Sequence, residues 1–173
     1  MKTLQKISTY FIVLAIFNLL FNSCKKEDEP VVENPATFAD IQRKHIVALE
    51  SNMQVTEIII SNESGLVYNA GDVIAFKTNE GRYGKLEIIS IDKNANYLLT
   101  AKITVFENDG SVFLATNSTT VRGTYLCDLD IVSEITVENT SMDFHWNRLT
   151  NTNTVITPKN GAKFAKYTFS KSK

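Results

Sequence analysis

Asp128 and Asp130 are the side chains best spaced for metal chemistry in this sequence. In the run Tyr125-Leu126-Cys127-Asp128-Leu129-Asp130-Ile131, alternate residues share one face of a strand, so both carboxylates point the same way. Two carboxylates one step apart offer the oxygen ligands that Ca²⁺ takes, with Glu134 as the obvious third. The same spacing equally fits the water-facing side of a strand, so they stand as weak metal candidates and no metal is assigned. Cys127 falls on the opposite face with Tyr125, Leu129 and Ile131. A nucleophilic thiol needs a nearby cation or base to lower its pKa. None is close in sequence, so Cys127 reads as a small buried apolar side chain.

Phe144 and Trp146 share another strand face. Aromatic side chains bury large areas, so core packing is the default. The alternative is a ligand platform on which sugar rings stack, with Tyr68, Tyr83, Tyr97 and Tyr167 as rims. The two histidines, His45 and His145, stand in no zinc-like spacing. Asp92-Lys93-Asn94-Ala95-Asn96 opens like a calcium loop, but Tyr97 and Ile103 occupy the positions where Gly and Glu are required, so it reads as a solvated turn. There is no G-x-S-x-G, P-loop or dinucleotide fingerprint, and no catalytic residue or cofactor is assigned.

Before these elements comes a segment with its own chemistry. Lys2 and Lys6 precede an apolar stretch over 7–21, too short to cross a bilayer as a helix and the length of a secretory h-region. Ordinary cleavage before Cys24 would place bulky Phe21 where a small residue is wanted. The stretch Leu20-Phe21-Asn22-Ser23-Cys24 resembles a bacterial lipobox of the loose kind found in Bacteroidetes lipoproteins. The following Lys25-Lys26-Glu27-Asp28-Glu29 resembles the charged export signal of such lipoproteins. The resemblance implies a lipidated Cys24, an outer-membrane anchor and display at the cell surface. Each buried CH₂ contributes ~0.8 kcal/mol, so two or three acyl chains hold firmly where one is marginal. It implies nothing about activity.

The division expected is therefore a signal peptide over 1–23, a flexible tether over 24–36 containing Pro30 and Pro35, and one globular domain over 37–173. Eighteen basic residues stand against nineteen acidic ones. With both leader lysines removed, the remainder is more acidic still, which argues against nucleic acid as a partner.

Thr37-Phe38-Ala39-Asp40 fits a capping box, and Phe38, Ile41, His45, Ala48 and Leu49 recur near helical spacing, so a helix is predicted over 37–50. Beyond Asn52 the pattern is all strand. Strands are predicted over 55–60, 73–77, 83–92, 97–107 and 112–114, the last two joined by Asn108-Asp109-Gly110. Further strands are predicted over 119–131 with a kink at Gly123, then over 135–137, 142–149, 154–156 and 164–169, with Asn160-Gly161 in the last turn. The chain is predicted to be mainly β, an antiparallel β-sandwich or barrel-like domain with one short N-terminal helix. The function expected is a non-catalytic surface lipoprotein acting as a binding or envelope-interaction module. Its expected partners are the membrane, through the lipid, and a glycan or an envelope protein. The alternatives are a carbohydrate-binding accessory lipoprotein of a glycan-uptake system, and a small hydrolase.

Overall fold

Period-two alternation sorts the strand residues into two faces. Along Val73–Lys77, Ile74 and Phe76 turn one way and Val73 and Ala75 the other; all four are buried. Leu86 and Ile88 of Tyr83–Asp92, and Leu99, Ala101, Ile103 and Val105 of Leu98–Phe106, face the same core as Ile74 and Phe76. Phe144, Trp146, Ile156 and Phe164 fill that core from the other strands.

A computed structural model describes residues 33–35, 37–50, 58–62, 65–66, 68–150 and 153–167. All of them belong to the unit Val32–Lys173. The leader, Cys24, the Lys25–Glu29 run and most of the tether lie outside the described residues. So do residues 55–57 and 168–169, which belong to two of the predicted strands, and residues 151–152 between two others.

The described elements are a helix α1 (Arg43–Ala48) and eleven strands: β1 (Ile58–Asn62), β2 (Gly65–Leu66), β3 (Val73–Lys77), β4 (Tyr83–Asp92), β5 (Leu98–Phe106), β6 (Val112–Val121), β7 (Tyr125–Asp128), β8 (Ser133–Ile135), β9 (Phe144–Arg148), β10 (Thr154–Pro158) and β11 (Lys163–Tyr167). A six-stranded sheet has the order β2-β1-β10-β9-β7-β8 and a five-stranded sheet the order β11-β3-β4-β5-β6. Every pairing is antiparallel. The arrangement is the predicted antiparallel sandwich, with the main core between the two sheets.

The five-stranded sheet is covered on both faces. On its outer face Val73, Ala75, Tyr83, Phe106, Ala165 and Tyr167 form a second core with Ile41 and Ile46. α1 is shorter than the predicted helix. Residues 37–40 form a single turn in which Asp40 Oδ2 accepts from Thr37 N and Oγ1 at 3.1 and 2.7 Å. The turn does not run on into α1, and at the break the Lys85 ammonium donates to the carbonyls of Phe38 and Ile41. The chain is extended at Gln42 before α1 begins, and His45 Nδ1 accepts from Gln42 N at 3.2 Å.

The predicted strand over 119–131 is two strands in different sheets. β6 ends at Val121, and β7 starts at Tyr125 after a turn. Gly123 is in that turn, where an added Cβ would lie 2.3 Å from the carbonyl oxygen of Asn96. The hairpin at Asp109-Gly110 forms as predicted, with Glu107 N donating to Ser111 O at 2.8 Å. It continues into a strand far longer than 112–114. β6 is an edge strand whose register against β5 slips in two places, a device that discourages edge pairing with other chains.

Candidate functional site

At one end of the sandwich, the turns after β3 and β7 meet through buried acids. Asp128, Asp130 and Asp143 are all buried, and each places one carboxylate oxygen within 4.8 Å of the others. Asp143 Oδ1 accepts from Asn79 N and its Oδ2 from Leu129 N, both at 2.7 Å. Asp130 Oδ1 accepts from Thr78 Oγ1 at 3.1 Å and from Arg82 Nη1 at 3.0 Å. Asp128 Oδ1 accepts from Asp130 N at 2.9 Å. These bonds join the β3–β4 turn of one sheet to the β7–β8 turn of the other. Burial, reinforced by Asp130 and Asp128, pushes the Asp143 carboxyl up to about 7 against the pull of its two N–H donors. Burial also raises Asp130, partly offset by Arg82. An oxygen-only set of this kind suits Ca²⁺ or Mg²⁺ rather than zinc. Here, however, Arg82 already supplies positive charge, and N–H and O–H donors occupy much of the oxygen surface. The arrangement does the work of a cross-link between sheets.

The second place is the outer face of β4 and β5. Lys85, on β4, would lie in water if 37–42 did not fold over it; instead it is 4% exposed. Its Nζ donates to the carbonyls of Phe38 and Ile41, the latter at 2.6 Å, and lies 4.2 Å from the centroid of the Phe38 ring. Burial, helped by the like charge of Lys102, pushes the amine down to about 8, with Asp40 and Glu87 opposing weakly. Lys102, on β5, stands over the same Phe38 ring at 4.5 Å. Neither lysine has an ion pair among the described residues. They line a groove of about 720 Å³ between the 38–44 segment and the β5–β6 hairpin. Thr104 and Phe106 also line it, and Val112 adds an apolar side chain that is 59% exposed.

No protein-family model, no curated protein and no solved structure matches this chain. Its chemistry must be read from its own residues.

This geometry corrects some expectations and agrees with others. Asp128 and Asp130 do not face water; both are at least nine-tenths buried. Their third neighbour is Asp143, not Glu134, whose carboxylate accepts from Arg122 Nε at 2.9 Å. Phe144 and Trp146 are 0% exposed, so neither ring has a face open to a sugar. Phe144 packs edge-on against Phe164 with centroids 5.9 Å apart, and Trp146 Nε1 donates to the carbonyl of Tyr97. The four tyrosines named as rims are buried as well. His45 lies on α1, with Nε2 3.3 Å from Glu33 Oε2, whereas His145 is on β9 of the other sheet. Cys127 is fully buried, and burial, with Asp143 next, raises its thiol well above the ordinary value. Asp92 caps the turn that follows it, accepting from Asn94 N and Ala95 N at 2.9 and 3.3 Å. Sequence reasoning missed Asp143, Lys85, Lys102 and Phe38 as site residues. Asp143 comes beside Asp128 because Phe144 pairs with Cys127 across β9 and β7, a register that no local pattern in the sequence announces.

Proposed function

We propose that this chain is a lipid-anchored, non-catalytic binding module of the outer membrane that engages its ligand through the groove beside Lys85 and Lys102. The single observation that carries this reading is the groove itself. It is a concave surface with two ammonium groups, a hydroxyl and exposed apolar side chains, set on a sheet covered on both faces. Nothing lining it pairs a nucleophile with a base, so recognition is the better account than turnover. The anchor rests on Cys24 and the charged residues 25–29, which would hold the domain at the membrane surface on a short spacer. Among the described residues no helix is long and apolar enough to cross a membrane.

Hydrogen exchange on the full chain tests the binding half, alone and with soluble envelope glycans, muropeptides and acidic peptides. Protection confined to 38–43 and 102–115 is the expected result. Protection elsewhere, or none with any member of the panel, sinks the groove as the binding surface. Mass spectrometry of the native N-terminus tests the anchor: an unmodified Cys24 or a retained Met1 contradicts it.

A further inference from the structure

The groove is lined by more cationic than acidic side chains, and its surroundings offset the charge only in part. Lys85 and Lys102 both stand over the Phe38 ring, and neither meets a carboxylate at ion-pair distance among the described residues. Arg43 also lines the groove; its guanidinium lies 5.0 Å from the Tyr83 ring centroid, and its Nε is buried without a hydrogen-bond partner. Asp109 is the one acidic residue lining the groove. Its Oδ1 is already engaged by Ser111, from N at 2.8 Å and from Oγ at 2.6 Å. Lys44, also on the rim, is paired with Glu33 at 3.0 Å. Like charges held together against an aromatic wall repel one another, and an anion placed beside them offsets that repulsion. The exposed Val112 and the edge of Phe38 would accept an apolar body next to the charge.

Resting on the reading of this groove as the binding surface, we propose that its ligand carries an oxyanion — carboxylate, sulfate or phosphate — on a partly apolar body. The oxyanion sits against the Lys102 ammonium, with the buried Lys85 charge behind it, and the body lies along Phe38 toward Val112. The shared chemistry would serve a free small anion or the charged end of a larger envelope molecule. Thr104 offers a hydroxyl beside the two ammonium groups.

The test uses the full chain in detergent, labelled with ¹³C-lysine, and three probes: 4-phenylbutyrate, its neutral amide and inorganic sulfate. Saturable shifts of the Lys85 and Lys102 ε-CH₂ signals are expected with 4-phenylbutyrate, and none with the amide. Sulfate alone shifting both signals would also support the oxyanion and assign the site to free anions. Its failure beside binding of 4-phenylbutyrate would support it and assign the site to anions on a larger body. Bound 4-phenylbutyrate should raise the titration midpoint of Lys85 above its free value of about 8, because a neighbouring anion favours the ammonium. Lys102→Gln should weaken binding about tenfold and Lys102→Arg should restore most of it. Lys102 is half-buried and outside both cores, so neither change threatens folding. Equal shifts with acid and amide would overturn the oxyanion while leaving the groove as a binding surface. No shift with any probe would overturn the oxyanion, and hydrogen exchange with the wider panel would then judge the groove alone. Binding unchanged in Lys102→Gln would place the anion elsewhere and overturn the proposal.

Discussion

The indole Nε1 of Trp146 donates a 2.7 Å hydrogen bond to the carbonyl of Tyr97. That single bond runs from the middle of the six-stranded sheet to the turn that opens β5 in the other. Both residues are buried, so the carbonyl has no water to fall back on. Trp146→Phe leaves an unsatisfied acceptor and a partial cavity, and should cost roughly 2–3 kcal/mol in urea unfolding. A loss below measurement error would mean that the bond does not hold the sheets together.

Gly123→Ala should destabilise for a different reason. The new Cβ would meet the Asn96 carbonyl oxygen at 2.3 Å, backbone against backbone, where nothing flexible can yield. The two turns are also joined by Gly123 N to Asn96 O at 2.9 Å and by Asn96 Nδ2 to Gly123 O at 3.1 Å. A loss of about 2 kcal/mol is expected from displacing them, with a lowered thermal midpoint as the readout. An unchanged midpoint would show that the turns separate freely.

Asp143 should make stability fall as pH rises. Its folded carboxyl is raised to about 7 from the ordinary 3.8, chiefly by burial, so between those values the folded state holds a proton that the unfolded chain has released. Its contribution is full below about pH 4 and is lost as pH climbs through 7, by at most about 1.4 kcal/mol per pH unit for one proton. Urea unfolding at a series of pH values should show this slope, and Asp143→Asn should abolish it. A wild-type curve rising over pH 4–7, carried by Asp143, would contradict the burial argument.

Lys85→Met should loosen α1 without unfolding the sandwich. The change removes the donor to the carbonyls of Phe38 and Ile41, and the residues it frees are those that close the outer core. Amides of 41–49 should exchange at least tenfold faster, while those of β3–β5 keep their protection. In the wild type, the Lys85 amine is depressed to about 8 from 10.5, so its burial penalty eases as pH rises from 8 toward 10.5. Uniform acceleration across the sheets would mean that this lysine supports the whole domain.

Cys127 should resist thiol reagents in the native protein and react promptly once urea unfolds it. It is fully buried, and its thiol is raised by burial first and by neighbouring carboxylates after that. Rapid native labelling at pH 8 would point to opening of the core.

The strands were legible because alternation is a local signal. Val73–Lys77 and Tyr83–Asp92 match their predicted limits, and Asp109-Gly110 marks its hairpin. The sequence misled where a distant group decides the outcome. The helix predicted over 37–50 breaks at the extended Gln42, where Lys85 from a distant strand donates to the carbonyls of Phe38 and Ile41. The strand predicted over 119–131 is interrupted by a turn in which Gly123 N donates to the Asn96 carbonyl, a partner distant in sequence. Whether Asp128 and Asp130 faced water stayed open in the sequence, because alternation says which residues share a face, not what covers it. Phe144 and Trp146 were legible as aromatic strand residues, and the choice between core and platform required the sheet on the other side. The lysine groove has no linear motif, since it exists only once 38–44 lies across β4 and β5.

The order of strands has a consequence for how such a chain matures. β3 to β6 pair with sequence neighbours, so that meander can zip as soon as its residues have been synthesised. β1 has no such option: besides the two-residue β2, it pairs only with β10, Ile58 opposite Ile156. As the chain is made from its N-terminus, that edge of β1 stays open until β10 follows it. A chaperone that shields the 58–62 stretch over that interval would raise the yield of folded protein, as would one covering the edge of β3 that waits for β11.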